Sequence, residues 1–257
     1  MNLPESYIRP DFYEVKYFKA DLHIHTCLSP CGDWEMTPSG IIIQASRRDL
    51  DLIAICDHNT AENVEATMRA GMQAGIRVLP GMEVCSKEEV HLLGIFDRAD
   101  QALALQMEVY NNLEGENRPG VFGFQVIADE NNEAMGENPR RLIGATLLSI
   151  YEIAAWIHQL GGLCIAAHVD RPSYSIISQL GFIPSDMLLD GVELSRHTNP
   201  FDARRQIPGI EGYPCISSSD AHFIDDIGAA WSTFFLESPS VSEIQLALKN
   251  KDNRKVF

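Results

Sequence analysis

The sequence predicts an α/β fold, a barrel of strands closed on itself and covered by helices. Three observations lead there. Short apolar runs alternate with amphipathic helical stretches along the 257 residues. The runs are apolar throughout, as in a parallel sheet with helices on its face. About seven or eight such strands in a chain of this length suit a closed barrel better than an open sheet.

The elements follow in order. KADLHIHT, from Lys19, reads as a strand. TPSGIIIQASRRDL reads as a helix with Thr37 as N-cap and Pro38 at the first helical position. DLIAICDH is a buried strand, and TAENVEATMRAGMQAG a helix closed by Gly75. IRVLPGMEV and EEVHLLGIFD are two more strands. SIYEIAAWIHQLGG carries a capping box, Ser149 with Glu152. LCIAAHVD, DGVELS, CISSSDAH and STFFLE are further strands, and a last helix opens at a second capping box, Ser240 with Glu243. The whole reads as a single domain over residues 1–257, with one interruption. Residues 101–146 begin as a helix and pass into an Asn-, Glu- and Gly-rich stretch. So long a connection is an insertion or cap with its own structure, or a mobile loop. VFGFQVIADENNEAM within it reads as a hairpin.

Composition narrows the classes. A net charge of −16 argues against a surface for a nucleic-acid backbone, which would need a basic stripe. It still allows a small phosphorylated substrate, because metal ions and a few arginines reverse the local field. No apolar run is long enough to span a bilayer, and MNLPESYIRPDFYEV lacks a signal pattern. The expectation is a soluble cytoplasmic protein without a membrane partner. The six scattered cysteines read as reduced, packed thiols.

The polar residues carry the chemistry. Strand after strand ends in a residue able to hold a metal: His23 and His25, Asp57 and His58, Glu83, His91, His168, Asp220 and His222. Only His158 and His197, of the eight histidines, fall outside this pattern. In α/β barrels the C-terminal ends of the strands line the site. A period of two places His23 and His25 on one face. Burying so many ionisable groups without counterions would be costly, and metal ions remove the difficulty. Imidazole with carboxylate suits Zn²⁺, Mn²⁺ or Fe²⁺. Eight or nine candidate ligands serve about two or three ions, with Glu83 able to bridge a pair. Paired ions clamp a phosphoryl group and generate hydroxide near neutral pH, which is hydrolytic chemistry.

In order, DLHIHTCLSP, LIAICDHNT, PGMEV, HLLGIF, IAAHVDRP and SSSDAH resemble the successive motifs of the PHP (polymerase and histidinol phosphatase) family, across Lys19 to His222. The resemblance implies a distorted (β/α)7 TIM-like barrel with a trinuclear metal centre at the C-terminal ends of its strands, hydrolysing phosphoesters. It implies His23, His25, Glu83 and Asp220 on a first ion, Glu83, His91 and His168 on a second, and His58 and His222 on a third with one further ligand. Asp57 fits orienting a ligand better than ligating, since adjacent strand residues point to opposite faces. Where the family carries aspartate or histidine for that last ligand, this chain reads Ser29, Pro30, Cys31, Gly32, Asp33. Cys31 as a thiolate, Asp33, or a weak third site all answer to this.

The expected reaction is hydrolysis of a small phosphomonoester, nucleotide or histidinol-phosphate-like, by a metal-activated hydroxide. A nuclease acting on oligonucleotides and a non-catalytic metal-binding module are the alternatives. Arg171 and Arg196 lie just past strand ends, where guanidinium forks suit phosphate oxygens. His197 is a further substrate-contact candidate by the same placement.

Overall fold

The computed structural model describes residues 14–257. The stretch read above for a targeting signal lies, through Tyr13, outside the described residues. No helix among the described residues is long and apolar enough to cross a membrane.

The first half runs β1 (Lys16–Ile24), α1 (Pro38–Arg47), β2 (Leu52–Ile55), α2 (Val64–Ala74), β3 (Arg77–Cys85), β4 (His91–Ile95) and α3 (Ala99–Asn111). A short helix α4 (Pro119–Phe122) and a hairpin, β5 (Val126–Ala128) with β6 (Ala134–Glu137), follow. The second half runs α5 (Ile150–Gln159), β7 (Leu163–Ala166), α6 (Ile176–Leu180), β8 (Gly191–Leu194), α7 (Pro200–Gln206) and β9 (Cys215–Ser217). β10 (Ser232–Leu236), α8 (Val241–Leu248) and β11 (Lys255–Val256) close the chain.

Helix ends obey local chemistry. The Thr37 hydroxyl accepts from the Gly40 amide, and Ser149 and Glu152 form the reciprocal box on α5. Gly75 ends α2 at φ 74°, in the left-handed region. The second box is only half made. Ser240 accepts from the Glu243 amide, but the Glu243 carboxylate turns to the Glu237 amide and Arg254 instead.

The main sheet has the order β11-β10-β1-β2-β3-β4-β7-β8-β9. It is not wholly parallel, as the apolar runs suggested. β1, β2 and β3 are parallel, and so are β7, β8 and β9, but β4 is antiparallel to both neighbours. The reason is the connection: β3 and β4 are joined by residues 86–90, too short for a crossover. Closure comes from the segment after β9, which lies beside the end of β1. The His25 amide donates to the Ala221 carbonyl at 3.0 Å. The buried Asp21 carboxylate accepts from the Ser219 and Gly228 amides at 3.0 and 2.9 Å.

Strand side chains alternate between two apolar layers. Leu52 and Ala54 join the core that holds Leu93, Leu163 and Ile165, while Ile53 and Ile55 join the helix-facing core with Ile41 and Ile157. β1 breaks this alternation. Leu22 belongs to the first core and Ile24 to the second, although they are two residues apart. The register shift between Asp21 and Ile24 against β2 accounts for it, a bulge that re-aims the strand end. That end carries His23 and His25.

Burial pushes the Asp21 carboxyl up to about 6 against its ordinary 3.8, with the Ser219 and Gly228 hydrogen bonds opposing. A carboxyl raised on folding binds its proton more readily folded than unfolded. Stability relative to Asp21→Asn is therefore expected to fall as pH rises from about 4 to about 6, by on the order of 2–3 kcal/mol. Urea unfolding of both proteins across that range checks it. A flat difference would mean that Asp21 titrates alike in both states.

Candidate metal centre

Six imidazoles meet at one end of the barrel around the buried carboxylate of Glu83. Glu83 Oε1 lies 2.7 Å from His91 Nδ1, 3.1 Å from His168 Nε2 and 3.5 Å from His23 Nε2. Oε2 lies 2.8 Å from His58 Nδ1 and 3.5 Å from His25 Nε2. Asp220 Oδ1 stands 3.3 Å from His23 Nε2, 3.1 Å from His25 Nε2 and 3.6 Å from His222 Nδ1. His91 reaches this set from the start of β4, not from a carboxyl end as the strand pattern suggested. β4 runs backwards, so its first residue stands beside the last residue of β3, with Cys85 paired to His91.

Hydrogen bonds behind the rings fix which nitrogen faces the centre. His23 Nδ1 donates to Glu193 Oε2 at 3.0 Å. Ser29 Oγ gives its proton to Asp57 Oδ1 at 2.7 Å, so it accepts from His25 Nδ1 at 2.9 Å. His222 Nδ1 donates to the Asp220 carbonyl at 3.0 Å. Each of these rings then turns the lone pair of Nε2 inward. Asp57 itself lies behind the site, its oxygens taken by Thr26 and Ser29. His58, its neighbour, points in. His168 and Asp220 hold left-handed backbone, φ 29° and 50°, an uncommon and costly conformation for residues with side chains.

These constraints test whether metal ions fit. His23 Nε2 and His25 Nε2 are 3.1 Å apart, both aimed inward, so two lone pairs face each other unless a cation or proton stands between. Asp220 Oδ1 and His168 Nδ1 are buried with no hydrogen-bond partner among the described residues. Three overlapping groups place one donor atom per residue within 4.8 Å of one another: His23, His25 and Asp220; His58, Glu83 and His91; His25, His58 and His222. The donors fit divalent ions. Burial would raise the carboxyl of Glu83, but the His91, His23 and His58 rings hold it well below the usual range. Burial would lower His23, yet Glu193, Asp220 and Glu83 hold it well above the ordinary imidazole value. Burial and the His222 and His58 charges drive His25 well below it.

A cavity of about 160 Å³ opens onto this cluster, lined by Ile143, Arg171, Ser173 and Tyr174 besides the ligand residues. Arg171 lies on the wall, with its guanidinium 2.5 Å from Asp220 Oδ2. Arg196 and His197 are exposed and do not line it. Arg196 pairs with Asp226 instead. Residues 112–148 pack over the loops that follow β1 and β2. The Asn59 side chain donates to the Leu142 and Gly144 carbonyls, both at 2.8 Å, and the Val126 amide to the Cys27 carbonyl at 3.0 Å. Ile143 reaches the cavity from this segment.

Glu193 and Tyr174 were not singled out from the sequence. Glu193 had a signal: one acid inside the otherwise apolar, fully buried strand GVEL. Tyr174 had none; it stacks on His91 at 4.7 Å through a loop the sequence leaves open.

Residues 21–176 match the sequence pattern of the PHP domain. The chain belongs to the PHP domain family. Residues 211–252 match the pattern described as PHP-associated. The uncharacterised protein YqxK of Bacillus subtilis is 26% identical over 95% of this chain and 65% of its own length. The 3',5'-nucleoside bisphosphate phosphatase of Chromobacterium violaceum is 34% identical over 33% of this chain and 30% of its own. The lesion-specific endonuclease Q of Pyrococcus furiosus superposes with a TM-score of 0.66 at 20% identity, over 94% of this chain and 58% of that one. The chain thus spans less than two thirds of YqxK and of endonuclease Q. The fold is the PHP barrel.

Glu193→Gln removes the charge that orients His23 while keeping the shape. Metal affinity is expected to fall about 10–100-fold, as for other carboxylates behind a ligating histidine. Competitive titration with a chromophoric chelator measures it. Unchanged affinity would mean that Glu193 only fills space.

Proposed function

We propose that this PHP chain is a metal-dependent phosphoesterase, acting first on small phosphomonoesters. The observation that supports it is the triple group of donors around Glu83 on the floor of one small cavity. His23, His25 and Asp220 would hold one ion, Glu83 with His91 and His168 a second, and His58 with His222 would serve a third. Divalent ions bound there would supply a hydroxide nucleophile near neutral pH and positive charge for the phosphoryl oxygens.

The chain's own residues do the rest. Glu193, Ser29 and the Asp220 carbonyl keep the ring lone pairs inward. Arg171, on the wall, offers guanidinium donors to phosphoryl oxygens. The cavity of about 160 Å³ accommodates a phosphoryl group, with Ile143 and Tyr174 on its wall to meet the rest of the substrate.

A second reading has its own support. The similarity that runs along nearly the whole chain is to YqxK and to the fold of endonuclease Q, and endonuclease Q is a lesion-specific endonuclease. Against it stand the net charge of −16 and the acids Asp33, Glu35 and Asp225 beside the site, which repel a phosphate backbone.

The test is phosphate release from p-nitrophenyl phosphate and bisphosphorylated nucleotides, set against strand scission of duplexes with and without an abasic site, at physiological salt. Monoester turnover without scission supports the first reading, and scission alone replaces it with the second. Glu83→Gln is expected to lower kcat/KM by on the order of 10²–10³-fold or more. Chelation should abolish turnover and lower Tm, because ligand-linked stability of about 2.7 kcal/mol at a hundred times Kd is lost. Arg171→Ala should raise KM or lower kcat; unchanged kinetics would take Arg171 out of the site.

A further inference from the structure

We infer that Tyr174 is a specificity-determining residue. It selects monoesters whose leaving group carries a flat ring, a nucleoside or an aryl alcohol, over sugar and polyol phosphates. This deepens the reading of the site as a phosphomonoesterase and rests on it.

Backbone strain singles the residue out. Ten residues other than glycine hold left-handed φ among the described residues. Six are Asp or Asn outside the site, which accept that conformation most readily, and one is Glu89. Two more, His168 and Asp220, belong to the metal centre. The tenth is Tyr174, at φ 56°. A bulky side chain is strained there, and it persists only where the surroundings over-determine it. Here they do. The His91 amide donates to the Tyr174 carbonyl at 2.9 Å, and the Arg171 amide to the His168 carbonyl at 2.9 Å. The Ser175 hydroxyl donates to the Arg171 carbonyl at 2.9 Å and accepts from the Ser178 amide at 3.0 Å. The turn between β7 and α6 is thereby closed, and it carries Tyr174 onto the cavity wall beside Arg171 and Ser173.

The ring is only half committed. It stacks on His91 with centroids 4.7 Å apart and planes 25° from parallel. One face is spent in that contact, yet Tyr174 stays 42% exposed and lines the cavity. Ile143, 36% exposed, lines the same cavity from the segment over residues 112–148. Besides the residues of the cluster, the rest of the lining is Ser173 and Arg171, and Arg171 is already paired with Asp220. Sugar hydroxyls laid against Tyr174 and Ile143 would give up water for few partners. A flat ring in the same place buries apolar surface and stacks on the tyrosine.

The test compares adenosine 5'-monophosphate with ribose 5-phosphate on the metal-loaded full chain. Both present the same phosphate and leaving oxygen, and they differ in whether the ribose carries a base. The wild type is expected to favour the nucleotide by on the order of tenfold in kcat/KM, the scale of one base stacked on an aromatic ring. Tyr174→Leu should lose most of that preference, and Tyr174→Phe should keep it. A wild type that hydrolyses both alike overturns the inference without any variant, and leaves the phosphomonoesterase reading standing. A fall in Tyr174→Leu shared equally by the two substrates also overturns it, because the ring would then only brace His91. A wild type that releases phosphate from neither of them, nor from p-nitrophenyl phosphate, removes the phosphomonoesterase reading and the inference with it.

Discussion

A buried carboxylate surrounded by imidazoles is the constraint on which the rest of this structure depends. Glu83 is 1% exposed and stands within 3.5 Å of five histidines. Removing such groups from water costs several kcal/mol per charge unless partners or metal ions compensate. The barrel therefore has to hold every donor to a fraction of an ångström, and its irregularities serve that end. The hairpin between β3 and β4 reverses one strand and brings His91 back to the carboxylate that β3 supplies. The bulge in β1 turns His23 and His25 inward. Left-handed backbone at His168 and Asp220 places two more donors where an extended strand would have carried them past.

The ligand residues are only half of the arrangement. Glu193, Ser29 with Asp57, and the Asp220 carbonyl each take the outward N–H of one imidazole. The lone pairs inside are thus decided by hydrogen bonds outside. Asp57 shows how the two layers connect: through Thr26 and Ser29 it fixes the loop after β1, and its neighbour His58 points into the centre. The segment over residues 112–148 braces the same loops from above through Asn59 and Val126, and it contributes Ile143 to the cavity wall.

The overall charge and the local field have opposite signs of consequence. A net charge of −16 disfavours long anionic polymers that approach within about a Debye length of the surface. At the cavity floor, divalent ions would dominate over every nearby side chain.

The sequence by itself determined the fold class, the order of nearly all the strands and helices, and the six histidines, Glu83 and Asp220 that meet at the centre. It could do so because strand and helix periods are local, and because ionisable residues after apolar runs mark where a barrel gathers its polar ends. What it could not supply depends on residues far apart in the chain. The reversal of β4 is a property of sheet pairing. The partnership of Glu193 with His23 spans the barrel, and the placement of Arg171 on the wall, with Arg196 turned to Asp226, was settled by which acid each guanidinium meets.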